Sequence, residues 1–445
     1  MSGRRTFTIL LVFILMTLSA CSGEETTPIR SAASLATNVP TSPPSTATIQ
    51  ASATPLPPTV TPTQIPTATR TPNPKAGKPV TIKVVKMVDK QNGWAVGQIA
   101  SSSSDLILFT RDGGLTWMDV SPAEAPGPAG SANREAVAFF LNARQAWVIY
   151  RDQTPQPGAS SATVWRTADG GQSWKPSQDI ALDSAVQMDF FSPGQLGFVD
   201  SQTGWLLVHL GAGMSHDYVA VFTTQDGGQT WKVVVDPNLD NLNMGCDKSG
   251  VTFLNSSTAW AAGNCQGVAP ILYLYRSGDA GHSWEQAEVP SPAGTSNLFQ
   301  SDSEACGATA PVFLSDKDGN FVVQCYNAQD SQTSQWLYNT MDRGQNWVSL
   351  PLPAPFSGGV DFIEPGTGWV VGSNSNDDLK GSKVYITQDG GQRWIPLATV
   401  NWSGTPDFVD AQSGWVIATS GRAAALAKST DGGKSWKELS PKIAP

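Results

Sequence analysis

Six aspartates and two histidines lie in polar, glycine-punctuated stretches where acid/base chemistry could be done: Asp152, Asp183, Asp217, Asp302, Asp377 and Asp378, with His209 and His216 flanking a Gly-rich segment. Two loop carboxylates can serve as acid and base in glycoside hydrolysis. Two imidazoles can relay a proton or ligate a metal. No third ligand accompanies the histidines and no C-x-x-C spacing occurs, so the reading is of loop residues with no metal or cofactor. Each carboxylate is a candidate by position only, since an isolated loop aspartate is more often a solvated one. The remaining reactive groups are five cysteines. Cys246 and Cys265, and likewise Cys306 and Cys325, stand 19 residues apart and bracket a pair of short strands. Two disulfides, each within one hairpin, are expected if the chain is exported.

These groups need a scaffold, and the scaffold is repetitive. The pattern Ser/Thr-x-Asp-x-Gly-x-x-Trp occurs seven times, with its aspartate at Asp112, Asp169, Asp226, Asp279, Asp342, Asp389 and Asp431. In such a turn Asp accepts bonds from backbone N–H groups, Gly supplies a positive-φ position, and Trp folds back as an apolar plug. The pattern resembles the Asp-box, or bacterial neuraminidase repeat, a structural staple found in enzymes and non-enzymes alike.

A second repeat precedes each turn. Trp94, Trp147, Trp205, Trp260, Phe321, Trp369 and Trp415 stand 16 to 22 residues before the turn aspartates. One unit then reads strand, tight turn, strand, variable loop, strand, eight-residue turn, strand. Seven four-stranded antiparallel units predict an all-β, seven-bladed β-propeller over residues 79–445, starting near Thr81 and ending near Leu439. Closure of the ring is expected from side-chain packing of the first unit on the seventh, with residues 79–83 adding an outer strand. Thirteen of the sixteen tryptophans occupy the two repeated positions and are expected in the core. Trp165 fits a third-strand core position. Trp402, in the loop before the last unit, has no place in the repeat. It is expected either to contact a ligand or to plug the central channel.

Residues 1–20 carry Arg4 and Arg5 before an apolar run, and the run ends in Leu18-Ser19-Ala20-Cys21. This resembles a lipobox, which implies a signal peptide and a lipid on Cys21 that anchors an extracytoplasmic protein to a bacterial membrane. Residues 21–78 are rich in Thr, Pro and Ser and read as a disordered stalk.

The chain has 28 basic and 37 acidic side chains. Six basic and two acidic ones fall within residues 1–78, so the body carries 22 against 35, a net of −13. That balance argues against nucleic acid as a partner. The turns bearing the aspartates are uniform, whereas the loops at the other end of the units are long and varied, which is where binding is expected. Arg111, Arg343 and Arg393 lie in the uniform turns, and the Tyr/Glu pair and arginine triad of Asp-box sialidases have no match.

Over the whole body the pattern F-x-D…GW-x-V-G…T-x-DGG-x-x-W, fullest in residues 196–231 and 360–394, is similar to the photosystem II assembly and stability factor family. That resemblance implies a seven-bladed, non-catalytic scaffold that docks on membrane subunits. The stalk and the acidic body depart from the family's pattern. The function expected is a monomeric, membrane-tethered binding or assembly scaffold for a protein or glycan ligand. The alternative is an extracytoplasmic glycoside hydrolase, sialidase-like or xyloglucanase-like, using loop carboxylates.

Overall fold

The computed structural model describes residues 74–100, 102–123, 134–152, 160–213, 215–265, 271–301, 303–353, 359–372 and 381–445. The apolar N-terminal run, Cys21, most of the Thr/Pro-rich stretch, Asp302, Asp377 and Asp378 lie outside the described residues. By contacts the chain divides into Met1–Thr69 and Arg70–Pro445, and all the described residues belong to the second unit. Among the described residues there is no α-helix, and one 3-10 turn at Leu298–Gln300 interrupts an otherwise all-β chain.

The strands fall in chain order into four-stranded antiparallel sets, each pairing first to second to third to fourth. The first set is Val80–Met87, Gly93–Ile99, Leu106–Thr110 and Thr116–Asp119. The third is Ser192–Phe198, Gly204–Gly213, His216–Thr224 and Lys232–Val235. The seventh is Pro406–Phe408, Gly414–Ser420, Ala423–Ser429 and Lys437–Glu438. The second begins at Arg134, the fourth at Asp247, the fifth at Glu304 and the sixth at Asp361. One register pair, Asn264 with Gly307, joins the fourth and fifth sets into a single sheet. First strands of several consecutive sets lie against each other, so the middle strands are covered on both faces. This explains why second strands such as Ala146–Asp152 (AWVIYRD) read as continuous apolar runs rather than as an alternation.

Each eight-residue turn is built the same way. The Thr110 hydroxyl donates to Asp112 Oδ1 at 2.8 Å and accepts from the Gly114 N–H at 3.0 Å. The bond from hydroxyl to Asp recurs at Thr167, Thr224, Ser277, Thr340, Thr387 and Ser429. A further tie was not read from the sequence: the residue before Trp donates its side chain to the second carboxylate oxygen. Thr116, Ser173, Thr230, Ser283, Asn346 and Ser435 do so at 2.5–2.7 Å. In the sixth turn that position is Arg393, and its backbone N–H alone bonds Asp389, at 2.8 Å. The residue after Asp has positive φ throughout, including where it is not glycine: Ala280 at 65° and Arg343 at 68°.

The tryptophans of the second strands join one set to the next. Trp147 Nε1 donates to Gly227 O, Trp369 to Gly432 O and Trp415 to Gly113 O, at 2.9–3.0 Å. Trp94 and Trp205 donate to Asn142 O and Val251 O. All but Trp415 also meet a phenylalanine of the following set: Trp147 stacks on Phe198 and Trp369 on Phe408, both at 3.8 Å, whereas Trp415 clusters with Met87. Burying one indole this way contributes roughly 4–6 kcal/mol gross. Because Trp415 reaches Gly113, the seventh set lies on the first.

Two sequence expectations are corrected. Residues 79–83 add no outer strand: Val80–Met87 is the first strand of its set. The outer strand is Lys442–Ile443, which runs parallel to Thr116–Trp117. Gly77 N–H also donates to Ile443 O, and Val80 N–H to Pro441 O, so the two ends of the body are bonded together. Phe321 is not the fifth counterpart of the tryptophans. Gly319 pairs with Thr340 as Gly368 does with Thr387, which puts Asn320 in the Trp369 register and Phe321 one residue further on. Aligning on glycine rather than on the aromatic would have found this.

Candidate functional site

Much of the varied loops, including residues 124–133, 153–159 and 373–380, lies outside the described residues. His209 and His216 do not flank a long loop. They stand on the paired strands Gly204–Gly213 and His216–Thr224, which extend the third set's hairpin. His209 Nδ1 lies 3.0 Å from Asp217 Oδ1, while Asp217 Oδ2 accepts the Lys248 N–H at 3.0 Å. Lys248 is buried, and its ammonium donates to the carbonyls of Gly245 and Cys246 at 2.9 Å and lies 4.9 Å above the Tyr273 ring. Burial brings its pKa down to about 8, against the pull of Asp217 and Asp247. His216 stacks on Tyr218 at 5.8 Å.

The other proposed acids are scattered. Asp152 ends a strand opposite Arg134, and Asp183 is exposed and accepts the Ala185 N–H at 2.8 Å. Of the turn arginines, Arg343 bonds Asp316 at 2.8 Å and Arg111 lies 5.8 Å over Phe109. Among the described residues no group of three His, Cys, Asp or Glu is placed to hold a metal ion.

Cys246–Cys265 and Cys306–Cys325 are disulfide-bonded, as the spacing suggested. Cys306 and Cys325 are direct register partners on adjacent strands. The first bridge lies beside Tyr273, under the Lys248 cluster. Two disulfides suggest an extracytoplasmic location. No helix among the described residues is long and apolar enough to cross a membrane.

Trp402 is partly buried and meets Trp436 edge-on at 5.6 Å, within the apolar cluster of the sixth and seventh sets. The more open aromatics were not singled out by sequence: Tyr218 and Tyr326 are 40% and 44% exposed. Tyr218 lines an open concavity of about 1130 Å³, with Leu182, Met188, Asp189, Gly211 and Asn238. One wall is the small ladder pairing Ile180–Ala181 with Ser161–Ala162. Tyr326 lines another, about 670 Å³, along the fifth set. Sequence reasoning also missed Asp361, Asp407 and Lys86, which share one register on three first strands. Lys86 Nζ bonds Asp407 at 2.6 Å, and Asp407 also accepts the Met87 N–H. Asp361 accepts the Phe408 N–H, yet burial and then the Asp407 charge raise its pKa to about 6.

Comparison with solved structures gives the fold. A GH74 xyloglucanase from Xanthomonas campestris is similar at 16% identity and TM-score 0.51, over 81% of this chain and 53% of that one. A puromycin-hydrolyzing peptidase from Mycobacterium tuberculosis is similar at 11% and 0.50, over 83% and 54%. The structure of YCF48 bound to D1 peptide is similar at 17% and 0.47, over 80% and 94%. The chain thus spans about half the length of the xyloglucanase and of the peptidase. No family model and no curated protein matches the sequence. At these identities the likeness is one of fold, a β-propeller.

Proposed function

We propose that the seven sets are the blades of one Asp-box propeller, held to a bacterial membrane by a lipid on Cys21 and a Thr/Pro-rich stalk. Its long-loop face binds a partner without catalysis. The observation that carries this reading is the concavity of about 1130 Å³ beside Tyr218, whose open aromatic stacks on His216. Exposed aromatics at the edge of a preformed hollow are the usual anchors of protein and glycan recognition. Asp217, the most enclosed of the described candidate acids, has its oxygens engaged by His209 and Lys248, which fits a structural role. A protein subunit of a membrane complex is the partner favoured by the tether, with a glycan second.

One observation favours the hydrolase reading. Asp217 orients the His209 imidazole as the acid of a catalytic pair would.

The experiment is capture from detergent-solubilised membranes by wild type, Tyr218→Ala, Trp402→Ala and, on the turn face, Lys434→Ala, each with its melting temperature. Capture lost in Tyr218→Ala, with melting unchanged and Lys434→Ala unaffected, supports the reading. Retention in all variants removes the Tyr218 site, and glycan turnover abolished by Asp217→Asn replaces the reading with the hydrolase. Cys21→Ser tests the tether separately: the protein should leave the membrane fraction.

A further inference from the structure

The junction between the fifth and sixth sets has no second-strand indole. At three other junctions the N–H of a second-strand tryptophan takes a carbonyl of the following set's eight-residue turn: Gly113, Gly227 and Gly432. In the fifth set that register holds Asn320, and the equivalent carbonyl, Gly390 O, accepts Asn339 Nδ2 at 2.5 Å. The hydrogen bond is kept and the ring volume is not. What remains is an open cleft of about 770 Å³ on the turn face, lined by Asn320, Asn339, Gly390, Phe362, Val348 and Met341. Its surface is mainly apolar, and two of its side chains are among the most exposed hydrophobics of the body, Met341 at 78% and Val348 at 60%. Phe362 occupies the place of Phe198 and Phe408, which carry stacked indoles in their own junctions. In its place Phe362 has only the edge of its own set's Trp394, at 6.3 Å. Three carboxylates border the cleft: Asp318, Asp342 and Asp389. Asp389 is the one turn aspartate without a side-chain donor from the residue before Trp, because Arg393 stands there.

We propose that this cleft binds the tryptophan side chain of a protein partner, inserted from a basic stretch. The repeat itself argues for the ligand, since the slot is shaped by a fold that packs an indole at the same register in the neighbouring set. Lys or Arg beside that tryptophan meets Asp318, Asp342 and Asp389, and of the cations next to them in sequence, Arg343 is paired with Asp316. The Thr/Pro-rich segment of this chain between residues 22 and 73 contains no aromatic residue, so that segment does not supply the ligand. The site is on the face opposite the long loops and stands independently of the function proposed above.

The test uses full-length protein with labelled Met, Leu and Val methyls, titrated with acetyl-Lys-Trp-Lys-amide. Saturable shifts at Met341, Val348 and Leu350 are expected. Acetyl-Gln-Trp-Gln-amide should bind about tenfold more weakly, and acetyl-Lys-Ala-Lys-amide should give no shifts. Asn320→Trp, which restores the repeat, should raise the melting temperature and abolish binding. Met341→Lys, on the exposed edge, should weaken binding without changing melting. The proposal is overturned by silent methyls, by shifts that survive both substitutions, or by an Asn320→Trp protein that is less stable than wild type. Equal affinity for N-acetyltryptophanamide and the basic peptide would also overturn it, in favour of a small aromatic ligand.

Discussion

The seventh set meets the first, and the fifth meets the sixth, through the same turn and the same register, yet the two junctions differ. At the former, Trp415 is fully buried, donates to Gly113 O and lies under the Lys428 ammonium at 4.5 Å. The C-terminal strand Lys442–Ile443 then covers the first set's outer edge. At the latter, Asn339 supplies the hydrogen bond, Asn320 stands in the tryptophan register, and a cleft remains. The comparison separates what a repeat must keep from what it can vary. A buried carbonyl must be paired because leaving it bare costs more than the bond contributes. Apolar volume can be given up at one junction, because the other junctions keep theirs and the fifth set is itself bridged internally by Cys306–Cys325.

Four tests address this contrast. Trp415→Ala should have the largest effect, about 3–5 kcal/mol by chemical denaturation, whereas Asn320→Ala at the matching position should cost under about 2. Equal losses would mean that the two junctions are not energetically distinct. Next, Cys306→Ser with Cys325→Ser should cost about 2–3 kcal/mol, since the bridge closes a short loop in strands already paired. The loss should appear as faster unfolding of the fifth set by hydrogen exchange.

The third concerns the first-strand carboxylates around the closing junction. Burial first, and the neighbouring Asp407 charge after it, raise Asp361 from 3.8 to about 6. A carboxyl whose folded pKa is raised contributes stability below its unfolded pKa, and that contribution is lost as pH rises through the folded value. Asp361→Asn should therefore match wild type near pH 4 and exceed it by about 2–3 kcal/mol at pH 8. Melting curves across that range check the sign. The turn aspartates work the other way. Asp279 is held at about 2, first by bonds from Ser283, so acid should loosen the turns between about pH 4 and 2. The smallest effect is expected for Arg343→Gly. Relieving a positive φ at a side-chain-bearing residue should gain about 0.5–1 kcal/mol, offset in part by losing the Asp316 bond. A measurable loss would show that the Arg343–Asp316 pair outweighs the backbone strain.

The local chemistry of this protein was legible in its residues. Asp, Gly and Trp at fixed offsets make a turn because the carboxylate, the positive φ and the apolar ring act within eight residues. Both disulfides followed from spacing, since each joins strands adjacent in one hairpin. Tertiary structure decided what depends on contacts between sets. Asn320 rather than Phe321 holds the tryptophan register because strand pairing counts from the glycine, whatever the aromatic content. His209 meets Asp217 through a hairpin extension that reads in sequence as a Gly-rich loop. Asp361 and Asp407 approach each other on separate first strands, 46 residues apart in the chain. The outer strand of the first set comes from the far end of the chain because an unpaired edge accepts any strand that reaches it, and no local pattern records which one does.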